Sequence, residues 1–277
     1  MPKTPSTPPA ILPPLFIIVA GEKGGVGKSL TSLALADAYQ LNDLPLDVLQ
    51  VDNQARLSRA LGRDVTTIRI DAKLARRDPA AASRAYTPIY AAVEAIGSGS
   101  GSVLVDVGAN EGTGLAQWLG LVDLASDLEE WKIPVLVVIP FVAESEAIRQ
   151  AGRTAQLFLD RLPSARLVLV ENERDGTISD LHPASDAAKS FTREISPLRR
   201  IARSIRMPLI EAGSWRPFEA ASCRLIDVAA MPVDKVMEVT GLPRAEAKIV
   251  RGDVAAFFAE MLERFSGVIV FDAEVAS

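Results

Sequence analysis

The chain has 277 residues, of which 48% are hydrophobic and 23% charged, a balance typical of a soluble globular protein with one sizeable core. Its net charge of −5 gives no overall attraction to nucleic acid or anionic lipid. The single Cys223 excludes an internal disulfide framework, and the single His182 excludes the usual histidine-rich metal sites. No apolar run reaches the ~20 residues that a membrane-spanning helix needs, so we expect no transmembrane segment and a cytoplasmic protein.

Residues 1–14 are rich in proline and lack the long apolar stretch of a signal peptide. We interpret them as a flexible leader. Residues 15–270 are expected to form a single domain, because open α/β sheets often reach this length as one unit. Residues 271–277 would then be a short acidic tail.

The most informative stretch is LFIIVAGEKGGVGKS, which ends at Ser29. Its first six residues predict a buried strand, and residues 30–39 have the apolar spacing of a helix. Between them lies G-x-x-x-x-G-K-S, the pattern of a phosphate-binding P-loop. Glycines allow backbone N–H groups to approach phosphate oxygens, and the positive end of the helix adds to that attraction. The pattern predicts that Lys28 contacts the β- and γ-phosphates and that Ser29 binds Mg²⁺.

Further along the chain, short apolar runs alternate with longer helical patterns. We predict buried strands at 46–51, 103–107, 134–141 and 165–170, and a short strand at 66–70. We predict helices at 79–96 with a break at Pro88, and at 118–131, 143–162 and 244–265. The last helix suits core packing better than membrane anchoring, and we interpret residues 97–102 as a surface loop and 233–242 as a connector. This alternation predicts an α/β fold with a doubly wound, mainly parallel sheet and helices on both faces.

Two predicted strands lead to a carboxylate, Asp52 and Asp106. Ligands of open parallel sheets bind at the carboxyl ends of the strands, so both side chains should lie near the P-loop. An apolar strand that carries an aspartate is also the Walker B pattern, whose carboxylate holds Mg²⁺. Alternatives remain for both regions: Asp52 suits the N-cap of a helical turn, and residues 108–112 suit either an ordinary turn or a switch loop.

Lys23 gives the loop a second lysine, in the sequence K-G-G-V-G-K-S. Here the chain resembles the ParA/MinD family of P-loop ATPases, whose deviant Walker A motif has a lysine at this place. The resemblance implies that Lys23 reaches the phosphates of a partner subunit's nucleotide, which links ATP binding to homodimer formation. The sequence V-D-N-Q is similar to the family's D-x-D-P-Q motif. Asp52 then takes the place of the second aspartate, which orients the attacking water, and Gln50 that of the first.

The resemblance implies an ATPase of the partition and positioning branch, which requires ATP and Mg²⁺ and is stimulated by a partner protein. Lys23, Lys28 and Asp52 are then the catalytic residues, and Ser29 and Asp106 hold the metal. The implied nucleotide-binding residues are Gly24, Gly25, Val26, Gly27, Lys28, Ser29, Leu30 and Asn172. Asn172 would read the adenine base, or alternatively act only as a turn residue. Residues 207–221 resemble the family segment that flanks the base.

Residues 196–206 are the most basic segment of the chain. As a helix, this segment would place Arg199, Arg203 and Arg206 on one face, with Arg200 close by. Such a face suits sequence-independent contact with DNA phosphates, or a solvated surface that pairs with local acids. DNA binding would make the protein nucleoid-associated and would suit a plasmid, chromosome or conjugation cargo.

Other functions are considered. Gln50 motivates an ATP-binding regulatory module that hydrolyses little ATP. A MinD-like, membrane-associated positioning ATPase is a second alternative. Nitrogenase reductase and iron–sulfur carrier relatives share the loop but need bridging cysteines, and the single cysteine of this chain argues against them.

Overall fold

The computed structural model describes residues 9–52, 56–61, 65–70, 77–78, 83–211 and 213–271. Its strands are β1 (Phe16–Val19), β2 (Leu46–Val51), β3 (Thr66–Ile68), β4 (Ser102–Val107), β5 (Val135–Val142), β6 (Arg166–Asn172) and β7 (Ala202–Met207). Within the described residues they form one sheet in the order β3-β2-β4-β1-β5-β6-β7, and every neighbouring pair is parallel. The predicted α/β fold with a parallel sheet is confirmed.

The helices are α1 (Lys28–Leu41), α2 (Arg56–Leu61), α3 (Thr87–Gly97), α4 (Gly112–Leu121), α5 (Leu124–Glu130), α6 (Ser145–Arg161), α7 (Asp186–Ser190), α8 (Arg216–Ala220), α9 (Leu225–Ala230), α10 (Val233–Thr240) and α11 (Arg244–Ser266). Three short turns lie between β6 and β7. Two are 3₁₀ turns, at Ile178–Asp180 and Leu198–Arg200, and one is a π-helical turn at Phe191–Ile195.

Helices cover both faces of the sheet. On the face that carries α1, which we call the α1 face, Ile17 and Val19 pack with residues of α2 and of α8 to α11. On the opposite face, which we call the α6 face, Phe16 and Ile18 pack with residues of α3 to α6. All four residues of β1 are buried, as expected for a strand that is covered on both sides. The sheet is therefore doubly wound.

The loop that follows β1 lies at a reversal of strand order. From β1 the chain passes to β2, β3 and β4 on one side of the sheet, and later crosses to β5, β6 and β7 on the other. In open parallel sheets, ligands bind in the crevice at the carboxyl ends of the strands where such a reversal occurs. The fold therefore places the predicted P-loop at the expected ligand-binding edge.

Part of the predicted leader packs on the domain. Ile11 is buried, and it forms a bridge with Ile269 through backbone hydrogen bonds to Val268 and Val270. The prediction of a flexible leader is therefore corrected for residues 9–14, because an apolar side chain in the core and paired backbone groups hold this segment. Residues 1–8 and 272–277 lie outside the described part of the chain.

Two predicted element boundaries were wrong. Residues 118–131 do not form one helix, because Asp123 has a left-handed backbone with φ of 50°, which ends α4 before α5 begins. Residues 233–240 form α10 rather than a connector, and Val236 buries its side chain on the α1 face. Gly241, with φ of 69°, ends that helix. Pro88 lies in the first turn of α3, where its missing N–H group costs little.

The predicted arginine-rich helix at 196–206 was also wrong. Its first half contains only the 3₁₀ turn at Leu198–Arg200, and its second half is β7, which pairs in parallel with β6. Ile205 and Met207, two residues apart, both pack on the α1 face. A spacing of two is the period of a strand, so the apolar residues and not the arginines decide the structure of this segment.

The last helix, α11, packs on the core as predicted. Val254, Phe257, Met261 and Phe265 are buried on the α1 face. Among the described residues, no helix is both long enough and apolar enough to cross a membrane.

A buried ion pair joins α1 to the start of α9. The side chain of Asp37 in α1 is fully buried, and Arg224 lies 2.5 Å from one of its carboxylate oxygens. The other oxygen accepts a hydrogen bond of 3.0 Å from the backbone N–H of Ile226. Burial raises the pKa of Asp37, and Arg224 opposes that shift. Because a buried carboxylate without partners is very costly, this pair holds the P-loop helix in one position against α9.

Candidate functional site

The loop between β1 and α1 has the backbone of a phosphate cradle. Gly25 has φ of 76° and Gly27 has φ of 99°, a left-handed region that residues with a side chain rarely adopt. Gly27 is the N-cap of α1, and no side chain caps this helix in the described structure. The first N–H groups of a helix lack partners within the helix, so an anion can be bound there.

Gly27 also fits against two other strands. A Cβ atom at this position would lie 2.5 Å from Met207 Cε and 2.6 Å from Asn172 Nδ2. These contacts are shorter than real Cβ atoms make, so with a larger residue at position 27 the side chains of Met207 and Asn172 or the loop itself would have to shift. In contrast, a Cβ atom at Gly24 would meet no atom within 4 Å.

Lys28 lies within the loop and not on its surface. Its Nζ donates a hydrogen bond of 2.8 Å to the backbone carbonyl of Lys23, and its side chain is mostly buried. Burial lowers the pKa of this amine, while the nearby carboxylates of Asp106, Glu22 and Asp52 raise it in part. A phosphate group beside Lys28 would add negative charge where the ammonium has lost water, which favours both the ligand and the charged lysine.

The side chains of Ser29 and Asp106 place two oxygen atoms that can bind a metal ion side by side. Ser29 Oγ donates to Asp106 Oδ2 at 3.3 Å, and Ser32 Oγ donates to Asp106 Oδ1 at 2.8 Å. Burial raises the pKa of Asp106 to about 6, and the Ser32 hydrogen bond and Lys28 oppose this shift. Mg²⁺ prefers oxygen ligands, and in phosphate sites it takes only one or two from the protein. The donor set therefore fits Mg²⁺ held jointly with phosphates.

The described residues offer no metal site built from protein ligands alone. No group of three or more His, Cys, Asp or Glu side chains in that part of the chain is arranged to hold a metal ion.

Asp52 and Gln50 lie at the same edge of the sheet as Asp106. In the register of β2 and β4, Gln50 is paired with Asp106, and Asp52 follows directly after the end of β2. Gln50 is buried and donates a hydrogen bond of 2.9 Å to Thr67 Oγ1 in β3. A neutral amide therefore stands beside Asp106 where the ParA/MinD motif has a carboxylate. Residues 53–55 of that motif lie outside the described residues.

Gly108 allows the loop after β4 to lie against Asp52. A Cβ atom on Gly108 would be 2.8 Å from the carbonyl oxygen of Val51 and 3.1 Å from Asp52 Cγ. The backbone N–H of Gly108 also donates to that carbonyl at 2.7 Å. The loop at 108–112, for which a switch is one of the alternatives, is therefore in direct contact with the residue expected to orient the attacking water.

Two neighbouring loop residues attach the loop to helices on the α6 face. Glu22 Oε1 accepts a hydrogen bond of 2.9 Å from the backbone N–H of Thr113 in α4. Lys23 Nζ donates to Glu144 Oε2 at 2.7 Å, and Glu144 is the N-cap of α6. No local pattern indicated the roles of Glu22 and Glu144. An acid before a helix, such as Glu144, predicts a cap but not which lysine it will contact.

Asn172 holds the P-loop in the structure. Its Nδ2 donates to the carbonyl of Val26 at 3.1 Å, and its Oδ1 accepts from the backbone N–H of Arg174 at 3.0 Å. Arg174 itself donates to the carbonyl of Gly25, a contact that no sequence pattern indicated. Recognition of adenine by Asn172 stays a prediction, and its two hydrogen bonds give it a structural task in the loop as well.

A cavity of about 370 Å³ adjoins the start of α1. Ser29, Leu30 and Leu33 form one wall, and Leu57 of α2 and Trp215 before α8 contribute apolar surface opposite. Arg59, Arg216 and Glu219 also line it, so the cavity combines apolar side chains and an aromatic one with charged groups, as small-molecule sites often do. Because Ser29 and Leu30 belong to both, the cavity is continuous with the phosphate-binding loop.

The four arginines proposed for DNA contact do not share a helix face. The guanidinium of Arg199 lies 5.9 Å from the ring centre of Phe191, and Arg206 Nε lies 3.7 Å from Glu173 Oε1. Arg203 and Arg206 lie on β7, whereas Arg199 and Arg200 are exposed on the turn that precedes it. DNA binding through these residues stays a prediction, now without the helical face that first suggested it.

Comparison with models of protein families shows to which family the chain belongs. A model of the CobQ/CobB/MinD/ParA nucleotide binding domain matches residues 17–231. The chain belongs to this family. The family membership predicted from K-G-G-V-G-K-S is thereby confirmed, and the site described above lies within the matched residues. A comparison with curated proteins found no match.

Several solved structures of family members resemble this chain. MinD of Aquifex aeolicus is 16% identical with a TM-score of 0.49 over 91% of this chain and 97% of its own, and a MinC:MinD complex of Aquifex aeolicus is 15% identical with a TM-score of 0.46 over 91% and 96%. An ATP complex of a variant of McdA from Cyanothece is 14% identical with a TM-score of 0.50 over 86% and 96%. At this identity, the similarity to McdA shows a shared fold.

The packing of Gly27 leads to a test of the loop within this family member. Gly27→Ala should weaken binding of a fluorescent ATP analogue by at least about tenfold, because backbone strain of about 1–3 kcal/mol and two short contacts would displace the loop. Gly24→Ala is the matched control and should change the dissociation constant by much less, since its side chain meets open space. Equal losses in the two variants, with both folded by circular dichroism, would contradict this account of the loop.

Proposed function

We propose that this protein is a Mg²⁺-dependent ATPase that forms a homodimer with ATP and separates after hydrolysis. As such a switch it would position a cargo, such as a plasmid, a chromosome region or a conjugation complex. The observation that carries the proposal is the convergence of Lys28, Ser29 and Asp106 on one loop at the carboxyl edge of the sheet, with Asp52 beside them and a second lysine, Lys23, at the rim.

Hydrolysis transfers the terminal phosphoryl group to water, and positioning and charge neutralisation supply most of the catalysis. Backbone N–H groups of residues 24–30 and the ammonium of Lys28 hold the phosphates. Ser29 and Asp106 would hold Mg²⁺, which when bound would help to neutralise the phosphate charge. Asp52 accepts a hydrogen bond from the attacking water and directs it towards the terminal phosphate. The adenosine half would lie beside residues 207–221, the segment that contains Trp215, with Asn172 reading the base.

Lys23 supports the dimer part of the proposal. Its side chain is 37% exposed, in contrast to the buried Lys28 of the same loop. A lysine at the rim is available to a second molecule that approaches this edge of the sheet. Two triphosphates facing each other across an interface repel strongly, so cations supplied by each subunit to the other favour association only when both nucleotides are triphosphates.

A second function is favoured by one observation. Gln50 provides a neutral, buried amide beside Asp106, so the site has one carboxylate fewer than the ParA/MinD motif. A module that binds ATP as a regulatory signal and hydrolyses it very slowly would have this feature. Phosphate release by the purified protein separates the two functions, because only the ATPase turns over.

Asp52 gives a direct test of the hydrolytic step. Asp52→Asn should lower kcat for phosphate release by about 100-fold, because a neutral amide accepts a hydrogen bond from water more weakly than a carboxylate does. Binding of ATP and dimer formation should remain. The matched control is Asp160→Asn on the exposed side of α6, which should turn over at the wild-type rate. Wild-type turnover by Asp52→Asn would remove this residue from the mechanism.

Lys23 gives a test of the dimer. With ATPγS and Mg²⁺, light scattering after size exclusion should detect a dimer of the wild-type protein, and Lys23→Gln should remain a monomer although it still binds the nucleotide. Lys189→Gln removes the same charge from an exposed site on α7 and should dimerise normally. Dimer formation by Lys23→Gln at the wild-type nucleotide concentration would refute the proposed role of Lys23.

Retention on nonspecific double-stranded DNA tests the surface that the switch uses. If the cargo role involves DNA, retention should require ATP and should decrease steeply with salt, because each phosphate contact releases counterions. Arg199→Glu combined with Arg200→Glu, both exposed on one turn, should abolish it, whereas Arg153→Glu on α6 should not. Retention in no nucleotide state would move the partner surface to a protein or a membrane.

A further inference from the structure

We infer that Glu144 is a positioning residue that holds Lys23 within its own subunit, and that this ion pair opens when ATP binds and Lys23 turns to a second subunit. The inference rests on the proposed function, because it assigns a regulation to the same loop. It begins from the 2.7 Å contact between Lys23 Nζ and Glu144 Oε2, two residues that are 121 positions apart in the chain.

Glu144 is the fixed member of the pair. Its two carboxylate oxygens also accept hydrogen bonds from the backbone N–H groups of Glu146 and Ala147, at 3.1 Å and 3.0 Å. These bonds cap α6, a helix of 17 residues whose N-terminal dipole favours a negative charge. The hydrogen bond from Lys23, aided by these N–H groups, lowers the pKa of Glu144. The carboxylate therefore keeps partners after Lys23 leaves, so only the lysine moves.

The loop contains a route from the nucleotide to this pair. Lys28, the lysine predicted to contact the phosphates, donates its hydrogen bond to the backbone carbonyl of Lys23. When Lys28 turns to a phosphate, that carbonyl loses its partner, and residue 23 is then held mainly through its side chain. Phosphate binding thus loosens the very residue that Glu144 retains, and the two lysines of the motif are linked through one carbonyl oxygen.

Exposure sets the size of the effect. The side chains of Lys23 and Glu144 are 37% and 46% exposed, so water and salt screen their attraction. Ion pairs of this kind change an equilibrium by about two- to fivefold. The pair therefore does not prevent dimer formation, but it sets the nucleotide concentration at which half of the protein is dimeric.

The test is to measure by sedimentation the concentration of ATPγS, in the presence of Mg²⁺, at which half of the protein is dimeric. We call this concentration the midpoint. Glu144→Gln removes the charge, and Glu144→Ser removes the reach towards Lys23 but keeps a good N-cap residue. Both should lower the midpoint about two- to fivefold. The matched control is Glu146→Gln, one acidic residue further along the same turn, which pairs with Arg149 at 2.6 Å and not with Lys23. Its midpoint should equal that of the wild type.

A salt series separates the ion pair from a mere loss of the helix cap. The difference between wild type and Glu144→Gln should shrink as salt is raised, because salt screens exposed charges, whereas a cap defect would persist. An unchanged midpoint in both Glu144 variants would overturn the inference. A higher midpoint would overturn it too, since Glu144 would then strengthen the dimer, as it would by contacting the partner subunit's lysine.

The Lys23→Gln variant distinguishes the two proposals. If it still forms the dimer at the wild-type nucleotide concentration, the role of Lys23 in the proposed function fails, whatever the Glu144 variants do. If it stays monomeric while both Glu144 variants match the wild type, the dimer switch stands and only the role of Glu144 is wrong.

Discussion

The buried ammonium of Lys28 is the interaction on which the rest of the site depends. A lysine that has lost most of its water is costly, and here the cost is offset by a backbone carbonyl of its own loop and by the carboxylates of Asp106, Glu22 and Asp52. Those groups come from β1, β2 and β4, so the charge can be held only where these strands end together. The parallel order of the sheet, with β1 and β2 on either side of β4, provides that place.

The loop around Lys28 is held from several directions. Asn172 and Arg174, which follow β6, bind the carbonyls of Val26 and Gly25, while Glu22 and Lys23 attach the loop to the starts of α4 and α6. A loop held at so many points has little freedom left to lose when a phosphate binds, which favours affinity. The contacts of Glu22 and Lys23 also connect the loop to helices on the opposite face of the sheet from α1.

The lysines of the loop differ in what their surroundings permit. Lys28 is buried and bound to its own loop, so in the proposed function it serves the nucleotide of its own subunit. Lys23 is partly exposed and bound to a carboxylate that water also reaches, so its partner can be exchanged at small cost. One motif therefore carries a buried cation and a partly exposed one, and the proposed switch between monomer and dimer depends on this difference.

Local sequence by itself determined the P-loop and the last helix. It also determined two buried strands, β1 before the P-loop and β4 with Asp106. In each of these the apolar period or the glycine spacing is set by residues close together in the chain. The family resemblance at K-G-G-V-G-K-S was readable for the same reason. The local pattern at 196–206 gave the wrong structure. The arginine spacing suggested a helix, but the burial of Ile205 and Met207 in the core beside β6 requires a strand.

Tertiary structure alone decided which distant groups meet. The pairing of Lys23 with Glu144, of Glu22 with Thr113 and of Arg174 with Gly25 joins residues that are 121, 91 and 149 positions apart. No local period encodes such a contact, because it depends on the order in which strands pair and on which helix ends lie at the same edge. The sequence determined that this chain has a nucleotide loop, and the packing of the sheet decided what holds that loop and its second lysine.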